Sequence, residues 1–258
     1  MSVKGLVLDL DGTVILGSRL VERAVESIAA CRDAGLRLTF LTNNSTYSVR
    51  YVLWKLRSLG LDCRLEEIIT SSYATAKYLL ENHGEVRAYV IGEAGLIEEL
   101  VRSGHSVVGA AESEVVVVGL DRNVTYSKLA EACRAVLRGA EFVATNRDRY
   151  LPLEDGGIPG AGSIVAFIEA ATNRSPVVVG KPNVEMLEFA MRRMGLGREE
   201  VVVIGDNPET DAEMAVRAGV KCVLVGGRPD PSLAGKGVEF SPSLAEALNT
   251  LLKRDPSD

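Results

Sequence analysis

Two aspartates two residues apart, Asp9 and Asp11, stand with Gly12 and Thr13 where the apolar run 3–10 ends. Alternate residues of a strand share one face, and carboxylates so close repel unless a cation joins them. Magnesium suits such a site, since it takes oxygen ligands, commonly one or two carboxylates with phosphate and water. The plainer alternative is a pair of solvated turn residues, because Asp-Gly is a turn signal. A second cluster, Thr42-Asn43-Asn44-Ser45, follows another apolar run and precedes a helical pattern. Its hydroxyls, amides and backbone N–H groups could cradle phosphate oxygens, or Asn44 or Ser45 could simply cap the helix. Lys181, between Gly180 and Pro182, could offset charge as one anion approaches another, or lie on the surface. Finally, Gly205-Asp206 follows a third run, and Asp211 falls in the next helical turn. Asp206 would complete a metal site, while Asp211 would hold Lys181 or a metal-bound water, or merely favour the helix dipole.

The elements that must position these groups alternate along the chain. Short β-branched runs predict strands at 3–10, 36–42, 87–91, 115–119, 141–145, 176–180, 201–205 and 220–225. Apolar residues at helical spacing predict helices at 21–35, 47–59, 75–82, 95–103, 127–138, 163–171, 184–195 and 209–219, with Gly35 and Gly60 as fitting stops. Strand–helix alternation predicts a parallel sheet with right-handed crossovers. Such a sheet carries its active groups at the carboxyl ends of its strands, where Asp9 and Asp11, Thr42 and Asn43, Lys181 and Asp206 stand. Between the second and third of these sites lie helices and strands with little chemistry at their ends. The expected division is therefore a discontinuous core, 1–71 and 179–258, with 72–178 inserted as a second α/β domain. The segment 147–160 reads as an irregular polar loop, and 254–258 as a frayed tail. His83 and His105 read as surface residues, Trp54 as core packing, and Met186, Phe189, Ala190 and Met194 as a core stripe.

Bulk properties exclude several classes. The net charge of −6 and the lack of a basic stripe argue against nucleic-acid binding. No apolar run approaches the roughly 20 residues of a membrane span, and the N-terminus enters a strand without a secretory pattern. Cys31, Cys63, Cys133 and Cys222 form no Cys-x-x-Cys pair, which argues against zinc and disulfides and fits the cytoplasm.

The clusters gain specificity in combination. D-x-D-G-T, T-N-N, the lysine of G-K-P and G-D-x-x-x-T-D, in this order and at strand ends, resemble the four motifs of the haloacid dehalogenase (HAD) superfamily. Ala144-Thr145-Asn146, 159–163 and 177–182 further resemble its NagD-type, 4-nitrophenylphosphatase-like branch. The resemblance implies a three-layer Rossmannoid core with an inserted α/β cap of C2 type. It also implies a magnesium-dependent phosphatase acting on small phosphorylated metabolites. Asp9 would attack phosphorus and Asp11 would act as acid and then base. Thr42, Asn43 and Lys181 would hold the phosphoryl group. Asp9, the backbone carbonyl of Asp11, and Asp206 would bind Mg2+, with Asp211 in support. Residues 146–155 would form a cap loop reaching over the active site, offering Arg147, Arg149 and Tyr150 to the leaving group. Relatives often pair through their caps, so a homodimer is expected. A phosphomutase, or a non-catalytic phosphate-ligand binder on the same fold, is the alternative reading.

Overall fold

The computed structural model describes residues 3–151, 156–227, 231–233 and 235–253. The chain forms two compact units, one of Met1–Thr42, Leu53–Ile69 and Lys181–Asp258, the other of Asn43–Val52 and Thr70–Gly180. The second unit thus takes in 43–52 as well as the inserted stretch.

The first unit is built on a six-stranded sheet in the order Val238–Ser241, Lys221–Val225, Val201–Gly205, Gly5–Asp9, Arg37–Thr42, Ile68–Thr70. The central pairings are parallel: Leu8 lies beside Ile204 on one side and Phe40 on the other, and Asp9 beside Leu41. Asp9, Thr42 and Asp206 therefore emerge together at the carboxyl ends of neighbouring strands. Gly5–Asp9 is buried at every residue, as expected of a parallel strand covered on both faces. Helix Ala24–Asp33 packs on Leu244–Lys253, and Glu185–Met194 on Glu213–Ala218, giving a three-layer α/β core. Phe40, Leu6 and Leu8 are fully buried; truncating such a side chain to alanine costs about 2–5 kcal/mol.

The second unit has a five-stranded sheet, Val177–Val178, Glu141–Ala144, Val115–Val118, Arg87–Ile91, Ser106–Val107, also parallel. Four consecutive valines form its buried middle strand. Two of its helices start on side-chain caps: Thr70 accepts from the Tyr73 N–H (3.1 Å) and Thr125 from that of Lys128 (3.2 Å). Residues 43–52 are tied into this unit by hydrogen bonds. The Ser72 hydroxyl donates to the Ser45 carbonyl (2.8 Å), the Leu120 N–H to the Ser45 hydroxyl (3.0 Å), the Gly95 N–H to the Thr46 carbonyl (3.1 Å), and the Val49 N–H to the Glu99 carboxylate (2.7 Å).

Several expectations need correction. Ile68–Thr70 completes the first sheet at one edge and Val238–Ser241 at the other, and helix Leu244–Lys253 packs beneath; the predicted pattern covers none of them. The loop expected to be irregular at 147–160 contains a hairpin of Tyr150–Leu151 with Ile158–Pro159. Helix 209–219 divides into a wide π-type turn, Pro208–Ala212, and a short α-helix, Glu213–Ala218. His105 is buried, not superficial: its Nδ1 accepts from the Val86 N–H (3.2 Å), so Nε2 donates to the Ala76 carbonyl (2.8 Å). His83 is exposed as expected. Trp54 is 62% exposed, contrary to a core role. All four cysteines are buried free thiols. Phe189 is half-buried, whereas Met186, Ala190 and Met194 join the core. No helix among the described residues is long and apolar enough to cross a membrane. The expectations for 152–155 in the cap loop and for the tail 254–258 fall outside the described residues.

Candidate active site

Asp9 ends its strand with its carboxylate buried, and Lys181 Nζ donates to it at 2.5 Å. The same ammonium donates to Asp211 at 2.7 Å. Lys181 is itself buried, so the surface alternative for this lysine does not hold. Asp211 is also buried, and its second oxygen accepts from the Asn207 N–H (3.2 Å). The π-type turn after Val201–Gly205 thus aims Asp211 inward at the lysine instead of leaving it to the helix dipole. Asp206 is half-buried and accepts from the Thr13 hydroxyl at 3.1 Å. Carboxylate oxygens of Asp9, Asp206 and Asp211 all lie within 4.8 Å of one another.

Two glycines make this crowding possible. Gly12 has φ +104°, and a Cβ there would run into the Asp206 carboxylate; a Cβ on Gly205 would strike that of Asp211. The tight Asp-Gly turn is therefore spent on bringing one carboxylate close to another.

The charges do not balance. Among the described residues Lys181 is the one cationic side chain paired within this group, with Asp9 and Asp211, while Asp206 has the Thr13 hydroxyl. Burial pushes the Asp9 carboxyl well above its usual range; Lys181 works against the rise, and Asp211 and Asp11 add to it. Asp206 is also raised, by burial and then by Asp211, with the Thr13 hydrogen bond opposing. Burial disfavours the Lys181 ammonium, but Asp211 and Asp9 outweigh it and hold its pKa above the usual lysine value. An all-oxygen donor set with surplus negative charge fits a hard divalent cation. Asp11 differs from the other three. Its side chain is exposed and accepts from the Thr42 hydroxyl at 2.9 Å, so it belongs to the rim, not to the three-carboxylate group.

In the second unit, Asn43 Nδ2 donates to both oxygens of Asp148 (3.0 and 3.2 Å). Asn44 takes the bland role: its Oδ1 accepts from the Thr46 N–H and hydroxyl and from the Tyr47 N–H, closing the turn before the helix. Arg147 pairs with Glu169 (2.6 Å), and the Tyr150 hydroxyl accepts from the Gly157 N–H (2.5 Å). Arg149 is exposed and offers its backbone carbonyl to the Gly160 N–H and the Ser163 hydroxyl. The sequence reading assigned no part to Thr13 or Asp148. Thr13 could have been found as the polar residue that closes D-x-D-G-T, whereas nothing local separates Asp148 from the solvated loop residues beside it.

With the site described, comparison with known proteins adds its class. Residues 6–106 match the family model of haloacid dehalogenase-like hydrolases, and 178–247 a second, HAD-hydrolase-like model. Over 222 residues, 86% of this chain and 86% of the relative, the sequence is 37% identical to a Bacillus subtilis protein named 5′-nucleotidase YutF. It is 35% identical to an acid sugar phosphatase of Staphylococcus haemolyticus, over 86% of this chain and 84% of that one. The solved structure of a p-nitrophenyl phosphatase from Archaeoglobus fulgidus superposes with a TM-score of 0.90 at 33% identity, covering 97% of this chain and all of the other. The chain belongs to the haloacid dehalogenase superfamily, in its NagD-type, 4-nitrophenylphosphatase-like branch. It is a phosphoric monoester hydrolase.

Proposed function

We propose that this hydrolase is a magnesium-dependent phosphatase of small phosphorylated metabolites, working through a phosphoryl group held covalently on Asp9. The observation that carries the reading is the buried Asp9 carboxylate, gripped by Lys181 within a group of three carboxylates that one ammonium cannot neutralise. Asp9, Asp206 and the backbone carbonyl of Asp11 would hold Mg2+, with Asp211 supporting through Lys181. The ion would supply positive charge where two anions must meet.

In the first half-reaction an Asp9 oxygen attacks phosphorus and the bond to the leaving oxygen breaks. Asp11 gives its proton to that oxygen, releasing the alcohol. In the second half, water yields a proton to Asp11 and its oxygen attacks the same phosphorus, freeing Asp9 and inorganic phosphate. The exposed position of Asp11 suits a group that must meet both the leaving group and water. The Thr42 hydroxyl orients it, and Thr42, with Asn43 next in the chain and Lys181, would take the phosphoryl oxygens. The inserted stretch 72–178 is read as a cap that selects the leaving group, with Arg147, Arg149 and Tyr150 as its contacts. A cytoplasmic setting, supported by the four free thiols, and a homodimer formed through the cap belong to the same reading.

The test is hydrolysis of 4-nitrophenyl phosphate with magnesium, with EDTA and by Asp9→Asn, alongside thermal melting of each sample. Turnover should require magnesium and vanish in Asp9→Asn. Magnesium should raise the melting temperature of the wild type and not of Asp206→Ala. Turnover undiminished in EDTA or in Asp9→Asn would refute the mechanism.

A further inference from the structure

We infer that Asp148 is a positioning residue for the phosphate-binding segment, not a selector of the leaving group. It lies in the stretch read above as the cap's selecting loop, yet its carboxylate faces Asn43. Both Asp148 oxygens accept from Asn43 Nδ2, a charge-assisted arrangement stronger than a neutral hydrogen bond.

The rest of Asn43 is held just as closely. Its backbone carbonyl accepts from the Ser71 hydroxyl (2.7 Å) and from Asn146 Nδ2 (2.9 Å). Asn146 is buried, and its Oδ1 accepts from the Asp148 N–H (3.1 Å). One asparagine therefore grips the Asn43 main chain and also fixes the turn that carries Asp148. Gly180 closes the fourth side: a Cβ there would stand 2.7 Å from Asn43 Oδ1. With its amide nitrogen on a carboxylate and its amide oxygen packed against glycine, the Asn43 side chain is set in one orientation. Asp148 supplies the part of that grip that carries charge.

The inference rests on the reading of Asn43 as a phosphate-holding residue, and the two are separable. The measurements are steady-state kinetics and the inhibition constant of inorganic phosphate, for the wild type, Asp148→Ala, Asp148→Asn, Asn43→Ala and the double variant Asn43→Ala/Asp148→Ala, with 4-nitrophenyl phosphate and an aliphatic phosphate ester. Asp148→Ala should raise KM and the phosphate inhibition constant roughly tenfold or more, the range lost with a hydrogen bond to a charged group. The factor should be the same for both esters, with kcat changed far less. Asp148→Asn, whose amide oxygen still accepts from Asn43, should recover part of the loss. Adding Asp148→Ala to Asn43→Ala should cost little more. A loss that depends on the leaving group, or additive effects in the double variant, would overturn the positioning role. An unchanged phosphate inhibition constant in Asn43→Ala would instead overturn the reading of Asn43.

Discussion

The two units are both parallel α/β sheets, yet they arrange charge differently. In the second unit several partly exposed acids and bases pair one to one: Asp121 with Lys128 (2.9 Å), Glu93 with Arg122 (2.6 Å), Glu169 with Arg147. Its buried amides and hydroxyls are likewise matched, as at Ser45 with Leu120 and Asn146 with Asn43. In the first unit three carboxylates cluster at the carboxyl ends of the strands, and one ammonium pairs with two of them, Asp9 and Asp211. Matched charge builds a framework, whereas unmatched charge held in place by buried neighbours suits a candidate functional site.

The largest effect that would break this contrast comes from removing a lysine in each unit. Lys181→Met should lower kcat for 4-nitrophenyl phosphate by about 10²–10³-fold, the range for deleting one preorganised electrostatic group. Lys128→Met, which removes a half-exposed partner from Asp121, should leave kcat within about twofold. That expectation follows because Lys128 and Asp121 are not members of the three-carboxylate group. Equal losses in both variants would erase the distinction between site and framework.

Much of the site was legible in the sequence because its residue types are dictated by chemistry at strand ends. Asp9, Lys181, Asp206 and Asp211 come together as their places after apolar runs predict. What the one-dimensional pattern hid was burial. A lone lysine such as Lys181 reads as exposed until two aspartates, one ending a strand and one in a distant turn, are found around it. His105 reads as exposed until a carbonyl and an N–H are found at its two nitrogens. Trp54 errs the other way, since helical spacing does not say which flank of a helix meets solvent. Ile68–Thr70 and the two-residue hairpin strands are too short to show a period, and the partner of Ile68–Thr70, Arg37–Thr42, lies far along the chain.

A smaller effect sharpens the comparison at its exception. Glu99 is buried in the second unit and accepts from the Val49 N–H. Burial raises its carboxyl above the usual value of 4.5, with that hydrogen bond opposing. The folded state then holds the proton more tightly than the unfolded chain. Glu99's contribution to stability is complete below about pH 4.5 and declines as pH rises through the raised value. Glu99→Gln keeps an acceptor for Val49 without the charge. It should melt about 2–4 °C above the wild type at pH 8, the shift for roughly 1 kcal/mol in a chain of this size, and the gap should close toward pH 4. A Glu99→Gln that melts lower at pH 8 would mean the ionised carboxylate is worth more than its burial costs.

The central claim is the covalent step at Asp9, and rapid acid quenching of turnover with ³²P-labelled substrate tests it most directly. The account predicts label on the protein, released by hydroxylamine as an acyl phosphate should be and mapped to the peptide containing Asp9. It should be absent in Asp9→Asn. Label mapped to another residue, or steady turnover at millisecond sampling with no labelled protein at any time, would contradict it.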